Sequence, residues 1–366
     1  MSKRSRGRQV LLTGLLFFLA VPKSFAVEGK LEELISRELA KTCELEVVWQ
    51  NELPMGKAEA LERLFIIGNR VYALSSSNYM VSLDRETGKA AFSVQVARAG
   101  LPAIGLELYN DELFSVIGNK IVEINPESGA ERSVKRLKIG VICPAVRNST
   151  YFYVAGADKR VHALRAEDKV QVFEAAAQNA SGITSVLADE RFVIFTTDAG
   201  NVISIQPDRA ELLWQFDARG GIVAPIVKDG DSLFVASGDT NIYKLDIVTG
   251  RFDWKYQAQA ALTRGPQVTG EIVYQSVDNK GLTAIDKKSG KALWHLAEGV
   301  DLLAQGGKRT YVITNSGELA VMDNQKAKQV CSINLAGVSR YATNVADSKI
   351  YIADKSGRVA CLKPIQ

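Results

Sequence analysis

An aliphatic anchor returns at nearly constant intervals along almost the whole of this chain. Leu83, Ile124, Leu164, Ile205, Leu245, Ile285, Met322 and Leu362 follow one another at spacings of 41, 40, 41, 40, 40, 37 and 40 residues. Eleven positions before each stands Tyr72, Leu113, Tyr153, Ile194, Phe234, Tyr274, Tyr311 or Tyr351, six of which are aromatic. A period this regular excludes most folds, because every copy must build the same small unit and bury its apolar faces against its neighbours.

Each copy reads as short strands joined by tight turns. In VYALSSSNYMVSLDRETGKAAFSV a β-rich run, a polar turn, a second run, a turn carrying Gly88 and a third run follow in order. Other copies place GNK, DAGN, SGDTN, DNKG, NSGE or DKSG in the first of these turns, where Gly, Asn and Asp accept the positive φ of a hairpin. A further short strand precedes each aromatic column, as in APIV before LFVAS. Runs such as NIYKL, LTAI and RVACL are apolar on both faces, as expected of sheets packed between two others. Four antiparallel strands per copy and eight copies predict an all-β, eight-bladed β-propeller.

Closure is visible in one column. Nine positions after the anchors stand Phe92, Ser133, Phe173, Trp214, Trp254, Trp294 and Cys331, but after Leu362 that position falls beyond the last residue, Gln366. The segment LEVVWQNEL upstream of the first copy supplies Trp49 for the vacancy. The N-terminal strand is therefore expected to complete the last blade, leaving no free edge in the ring. The tryptophans then share one structural column and serve blade-to-blade packing. The recurring Asp84, Asp246, Asp286 and Asp323 sit where a turn begins and are expected to cap its backbone N–H groups.

Two segments, LDIVTGRFDW (245–254) and IDKKSGKALW (285–294), share the pattern aliphatic-Asp-x-x-Thr/Ser-Gly-x-x-x-Trp, with weaker copies at LDRETGKAAF (83–92) and INPESGAERS (124–133). This pattern resembles the tryptophan-docking motif of the quinoprotein-like, or PQQ-repeat, eight-bladed propellers, over roughly residues 44–366. Within that family the chain is most similar to the B-subunit propellers of the outer-membrane β-barrel assembly machinery. The resemblance implies a non-catalytic exported scaffold that binds a protein partner in the cell envelope, an outer-membrane barrel assembly protein. The other activity in the family is PQQ-dependent dehydrogenation, which uses a calcium ion with oxygen ligands, a catalytic carboxylate and commonly a disulfide between adjacent cysteines. No Cys-Cys pair occurs, and copies this short leave little inserted loop for a closed pocket. No enzyme activity, cofactor or metal is therefore expected.

The N-terminus carries Lys3, Arg4, Arg6 and Arg8, then the apolar run VLLTGLLFFLAV, then Ser24-Phe25-Ala26. That is the form of a secretory signal peptide over residues 1–26, with no cysteine at the cleavage site to carry a lipid and no transmembrane segment expected after its removal. Without those 26 residues, which hold five basic and no acidic side chains, the formal charge of +4 becomes −1. The case for nucleic-acid binding goes with it. The expected location is the periplasm or the outer membrane. Cys43, Cys143, Cys331 and Cys361 would then meet an oxidising compartment, and their three possible pairings stay open. His162 and His295 lack any motif beside them. In EGKLEELISRELAKT (28–42), Leu31, Leu34, Ile35 and Leu39 fall on one helical face, predicting an amphipathic helix of about three turns within residues 27–43, ahead of the propeller at 44–366.

The connections from one copy to the next should all open on one face of a propeller. Arg98, Lys138 and Arg219 each lie 26 residues before the following anchor, and Arg264 and Arg340 lie 21 and 22 before theirs. They are expected to form a broken positive ring that steers an acidic partner to this face. The loop Ala261-Leu262-Thr263-Arg264-Gly265 also resembles the Leu-Ser-Leu-Arg-Gly loop by which the assembly subunits contact their barrel partner, with Arg264 and Gly265 in register. The candidate partner-binding residues are thus Arg98, Lys138, Arg219, Leu262, Arg264 and Arg340.

Overall fold

The computed structural model describes residues 33–56 and 59–365. The expected export signal lies outside these residues, as do positions 28–32 of the expected helix. No helix among the described residues is long and apolar enough to cross a membrane.

Eight four-stranded antiparallel sheets form the blades of a β-propeller. Blades 1 to 7 are continuous in sequence, at 61–95, 103–136, 146–175, 183–217, 227–257, 267–296 and 299–334. Blade 8 takes three strands from 340–364 and its outer strand, Leu45–Glu52, from the other end of the chain. That strand runs antiparallel to Arg358–Pro364, with Trp49 opposite Cys361 and Glu52 opposite Arg358. All eight anchors and all eight residues of the preceding column are buried. They lie on the third and second strands, the layers sandwiched between neighbouring blades. One cluster, for example, joins Phe234, Ala236 and Ile242 of blade 5 to Val273, Val277 and Ile285 of blade 6. The ring is held by burial of this kind, at about 1.5–3 kcal/mol for each large apolar side chain.

Where the repeated motif is complete it fastens one blade to the next. In blade 5 the Asp246 carboxylate accepts from Thr249 N at 2.8 Å and Thr249 Oγ1 at 2.7 Å, while Gly250 N donates to Asp246 O at 2.9 Å. Gly250 adopts φ +71, which a glycine permits without strain. Trp214, on the outer strand of blade 4, lies flat over this glycine and donates its indole N–H to Ile247 O at 3.1 Å. Trp254 stands in the same way over Gly290 of blade 6, donating to Lys287 O at 3.0 Å. Trp49 does so over Gly88 of blade 1, and Phe92 covers Gly129 of blade 2. The motif thus carries its own turn and the ring that seats on the following one.

Among the described residues the N-terminal helix is shorter than its periodicity predicts, spanning Arg37–Lys41. Ser36 caps it, accepting from Leu39 N at 3.1 Å, and 33–36 are not helical. Gln50 of the closing strand is the reason. Its Oε1 accepts from Leu34 N and Ile35 N at 2.9 and 3.2 Å, and its Nε2 donates to Ile35 O at 2.9 Å. These are the backbone groups a longer helix would have used internally. Ile35 and Ala40 are buried with Leu303 and Ile333 of blade 7 and Ile350 of blade 8, whereas Leu39 stays exposed.

Candidate protein-binding face

Antiparallel pairing fixes which loops share a side of the ring. A connection delivers the chain to the inner strand, the first turn lies on the far side, and the second turn returns to the near side. The connections between blades therefore stand beside the turns joining second and third strands. Those turns carry an acid in five blades: Asp158, Asp198, Asp239, Asp278 and Asp354.

In three consecutive blades this aspartate pins the incoming connection. Asp198 accepts from Gly182 N at 2.9 Å in blade 4, and Asp239 accepts from Arg219 N at 3.0 Å in blade 5. In blade 6, Asp278 accepts from Thr263 Oγ1 at 2.8 Å and pairs with Arg264 Nε at 3.3 Å. Burial alone would push Asp239 up, but hydrogen bonds from Tyr243, Asn241 and Arg219 outweigh it and hold the carboxyl below its ordinary value. It is therefore an anion at neutral pH. The positive ring expected from basic residues alone is in fact a ring of mixed charge.

Arg264 is the most elaborated of the candidate residues. Its side chain is 44% exposed, its carbonyl accepts from Gln275 Nε2 at 2.9 Å, and its guanidinium reaches Val300 O of blade 7 at 3.5 Å. It separates two surface hollows, of about 480 and 360 Å³. Asp278, Glu298 and Asn315 line the first, and Gln267, Tyr274 and Asp301 the second. Burial raises the Asp301 carboxyl above its ordinary value, against the opposing pull of Arg264. Tyr341, whose hydroxyl stands 3.5 Å from Asp301, is pushed up to about 12, first by burial and then by that carboxylate. The site offers a directional cation between hollows rimmed with acids and amides, a geometry for holding a peptide or loop.

The other candidates occupy different positions round the ring. Arg98, Lys138 and Arg219 are exposed on the connections leading to blades 2, 3 and 5, and their side chains make no ion pair among the described residues. Arg340 is half-buried at the head of the inner strand of blade 8, where its Nη1 donates to Ser339 O at 2.8 Å. Leu262 must be corrected as a contact residue. It is completely buried among Ala224, Phe234 and Val273, so it anchors the loop that presents Arg264 and offers no surface to a partner. Sequence reasoning missed the pinning aspartates because an Asp in such a turn suits the turn by itself. Their recurrence in DAGN, SGDTN and DNKG is the available signal.

A calcium–quinone site does not fit the donors present. No three His, Cys, Asp or Glu side chains among the described residues come close enough to share a metal ion. The cysteines that pair, Cys43 and Cys331, are 288 residues apart, while Cys143 and Cys361 are buried thiols. His162 is buried with its Nε2 3.0 Å from Asp158, and His295 Nδ1 meets Thr283 Oγ1 at 3.0 Å. The Thr283 hydroxyl is itself buried on the third strand of blade 6, so its contact with His295 offers no accessible nucleophile.

A family profile described as outer membrane protein assembly factor BamB matches residues 118–227 and 198–366. Among curated proteins, an uncharacterized protein of Rickettsia conorii is 22% identical over 64% of this chain and 62% of its own length. BamB of Shewanella oneidensis is 24% identical over 46% of each chain. The quinohemoprotein alcohol dehydrogenase ADH-IIG of Pseudomonas putida is 32% identical over 29% of this chain and 16% of its own. The matched part thus spans less than two thirds of each of these relatives. Among solved structures, BamB from Moraxella catarrhalis superposes with a TM-score of 0.67 at 17% identity, covering 87% of this chain and 97% of that one. The computationally designed Ika8 protein gives the same TM-score at 14% identity, covering 85% and 98%. At these identities the superpositions speak for the fold.

Proposed function

Because this chain belongs to the BamB family of outer membrane assembly factors, we propose that it is an exported, non-catalytic scaffold of outer-membrane β-barrel assembly. It works in the periplasm or at the outer membrane and holds a protein partner on its connection face. The observation that carries this reading is the match to that family over 118–366, on a propeller whose blades are joined by short connections. Arg264 is the directional contact, presented by the buried Leu262 and oriented by Asp278. Arg98 and Arg219 add the field that speeds encounter with an acidic surface. The test is charge reversal at Arg98, Arg219 and Arg264 together, each to Glu. Binding to the barrel assembly protein in envelope extracts should be lost with the melting temperature nearly unchanged. Retained binding at low salt would remove this face from the interface.

The local identity to ADH-IIG supports a second reading, a quinone-dependent dehydrogenase. It predicts stoichiometric uptake of pyrroloquinoline quinone with calcium, followed by absorbance, and dye-linked alcohol oxidation. The donor set described above favours the scaffold.

A further inference from the structure

The junction between blades 2 and 3 lacks the ring-over-glycine fastening that Trp49, Phe92, Trp214 and Trp254 make at four other junctions. Ser133 holds the outer-strand position that Trp214 and Trp254 hold in blades 4 and 5, and Lys169, at φ +57, holds the turn position of Gly250 and Gly290. No ring seats on this turn. The Lys169 side chain instead folds inward, with Nζ 2.7 Å from Glu123 and 2.5 Å from Ala166 O, and the same carboxylate lies 3.6 Å from Arg147. Glu123, Lys169 and Arg147 are buried at their side chains, and Arg147 also pairs with Glu112 at 2.9 Å, so the cluster is a neutralised plug beneath the surface. Above it lies an open hollow of about 330 Å³, the size at which small-molecule pockets begin, around 300 Å³.

The lining of this hollow is amphipathic. Leu164, Ile139 and Val170 give an apolar wall, and Val170 is 49% exposed. Lys135, Arg136 and Lys138 form the opposite rim, and none of the three has an ion pair among the described residues. Three uncompensated cations beside an exposed apolar wall suit an occupant carrying both acids and a large apolar side chain.

We propose that this perimeter groove is a second protein-binding site, which takes an acidic peptide segment of a partner and seats one aromatic side chain of that segment on the Lys169 turn, as Trp214 and Trp254 seat on theirs. Carboxylates flanking the aromatic meet Lys135, Arg136 and Lys138. Lys138 stands on the connection to blade 3, but the site shares none of Arg98, Arg219 and Arg264 and does not depend on what binds at Arg264.

Binding of a labelled short peptide of aspartate and glutamate around one tryptophan, followed by fluorescence anisotropy with the whole protein, tests this. The expected result is saturable binding that weakens at least about tenfold, or about 1.4 kcal/mol, when the tryptophan is replaced by alanine. A similar loss is expected in the Lys135→Glu, Arg136→Glu, Lys138→Glu variant and in Val170→Asp, whose folding is checked by its melting curve. The variant reversed at Arg98, Arg219 and Arg264 should bind the peptide as the parent does. Absence of binding, equal binding by the triple variant, or indifference to the tryptophan would overturn the proposal. So would capture of phosphatidylglycerol vesicles in place of the peptide.

Discussion

Cys43 and Cys331 are joined by a disulfide, with Cα atoms 5.7 Å apart across a sequence separation of 288 residues. Cys331 occupies on blade 7 the outer-strand position of Trp254 and Trp294 on blades 5 and 6. The next blade has no motif turn on which a ring could seat, because its outer strand, Leu45–Glu52, arrives from the other end of the chain. Cys43 lies two residues before that strand. The covalent bond therefore fastens the ring at a junction where the repeated device is missing.

Closing so long a loop restricts the unfolded chain strongly, and loss of such a bond costs about 2–5 kcal/mol. Cys43→Ser, Cys331→Ser, or reduction by dithiothreitol should lower stability by that amount in urea unfolding. Cys143→Ala is the comparison, since that thiol is unpaired, and burial pushes it up to about 11, away from reactivity. Equal urea midpoints with and without reductant would show that the seam does not depend on the bond.

Gly250 and Gly317 separate backbone strain from ring docking. Both have positive φ, +71 and +77, so alanine is strained at either. A Cβ on Gly250 would stand 2.4 Å from the Trp214 ring, whereas one on Gly317 meets nothing within 4 Å. Gly317→Ala should cost about 1 kcal/mol. Gly250→Ala should cost a further 1–3 kcal/mol or so, because the indole must be displaced. Matched losses in thermal unfolding at the two sites would mean that the indole seat adds little to blade packing.

The division of the chain into eight blades was legible because Leu83 through Leu362, and the column from Tyr72 through Tyr351, are buried between sheets and repeat in phase. The docking role of Trp214 and Trp254 was legible for the same reason. The pairing of Cys43 with Cys331 was not, since a cysteine in a tryptophan column looks like decay of the motif until the closing strand is placed beside it. Leu262 misled because a loop resemblance aligns residue types and carries nothing about burial. The helix was overextended because periodicity at Leu34 and Ile35 could not reveal that Gln50, on a distant strand, takes their backbone groups.

Acid should loosen the motif turns. In Asp84, Asp246 and Asp286 the hydroxyls of Thr87, Thr249 and Ser289, followed by the backbone N–H groups of the same residues, hold the carboxyl below the 3.8 of a free aspartate. The folded chain thus keeps these groups ionised to lower pH than the unfolded chain does. Their contribution is complete above 3.8 and is lost as pH falls through the lower folded values. The variant with Asn at all three positions keeps the acceptor oxygen and cannot titrate. Its stability, measured by urea unfolding, should fall less steeply than the parent's below pH 4 or so. Parallel pH profiles for the two proteins would exclude these turns as the acid-sensitive elements.

The scaffold assignment is tested most directly by a photo-crosslinking residue in place of Thr263, beside Arg264 on the connection face, activated in intact cell envelopes. Mass spectrometry of the adduct should identify an outer-membrane barrel assembly protein, and the added substitution Arg264→Glu should abolish that adduct. Absence of any protein adduct, together with tight uptake of pyrroloquinoline quinone and alcohol oxidation by the purified chain, would contradict it.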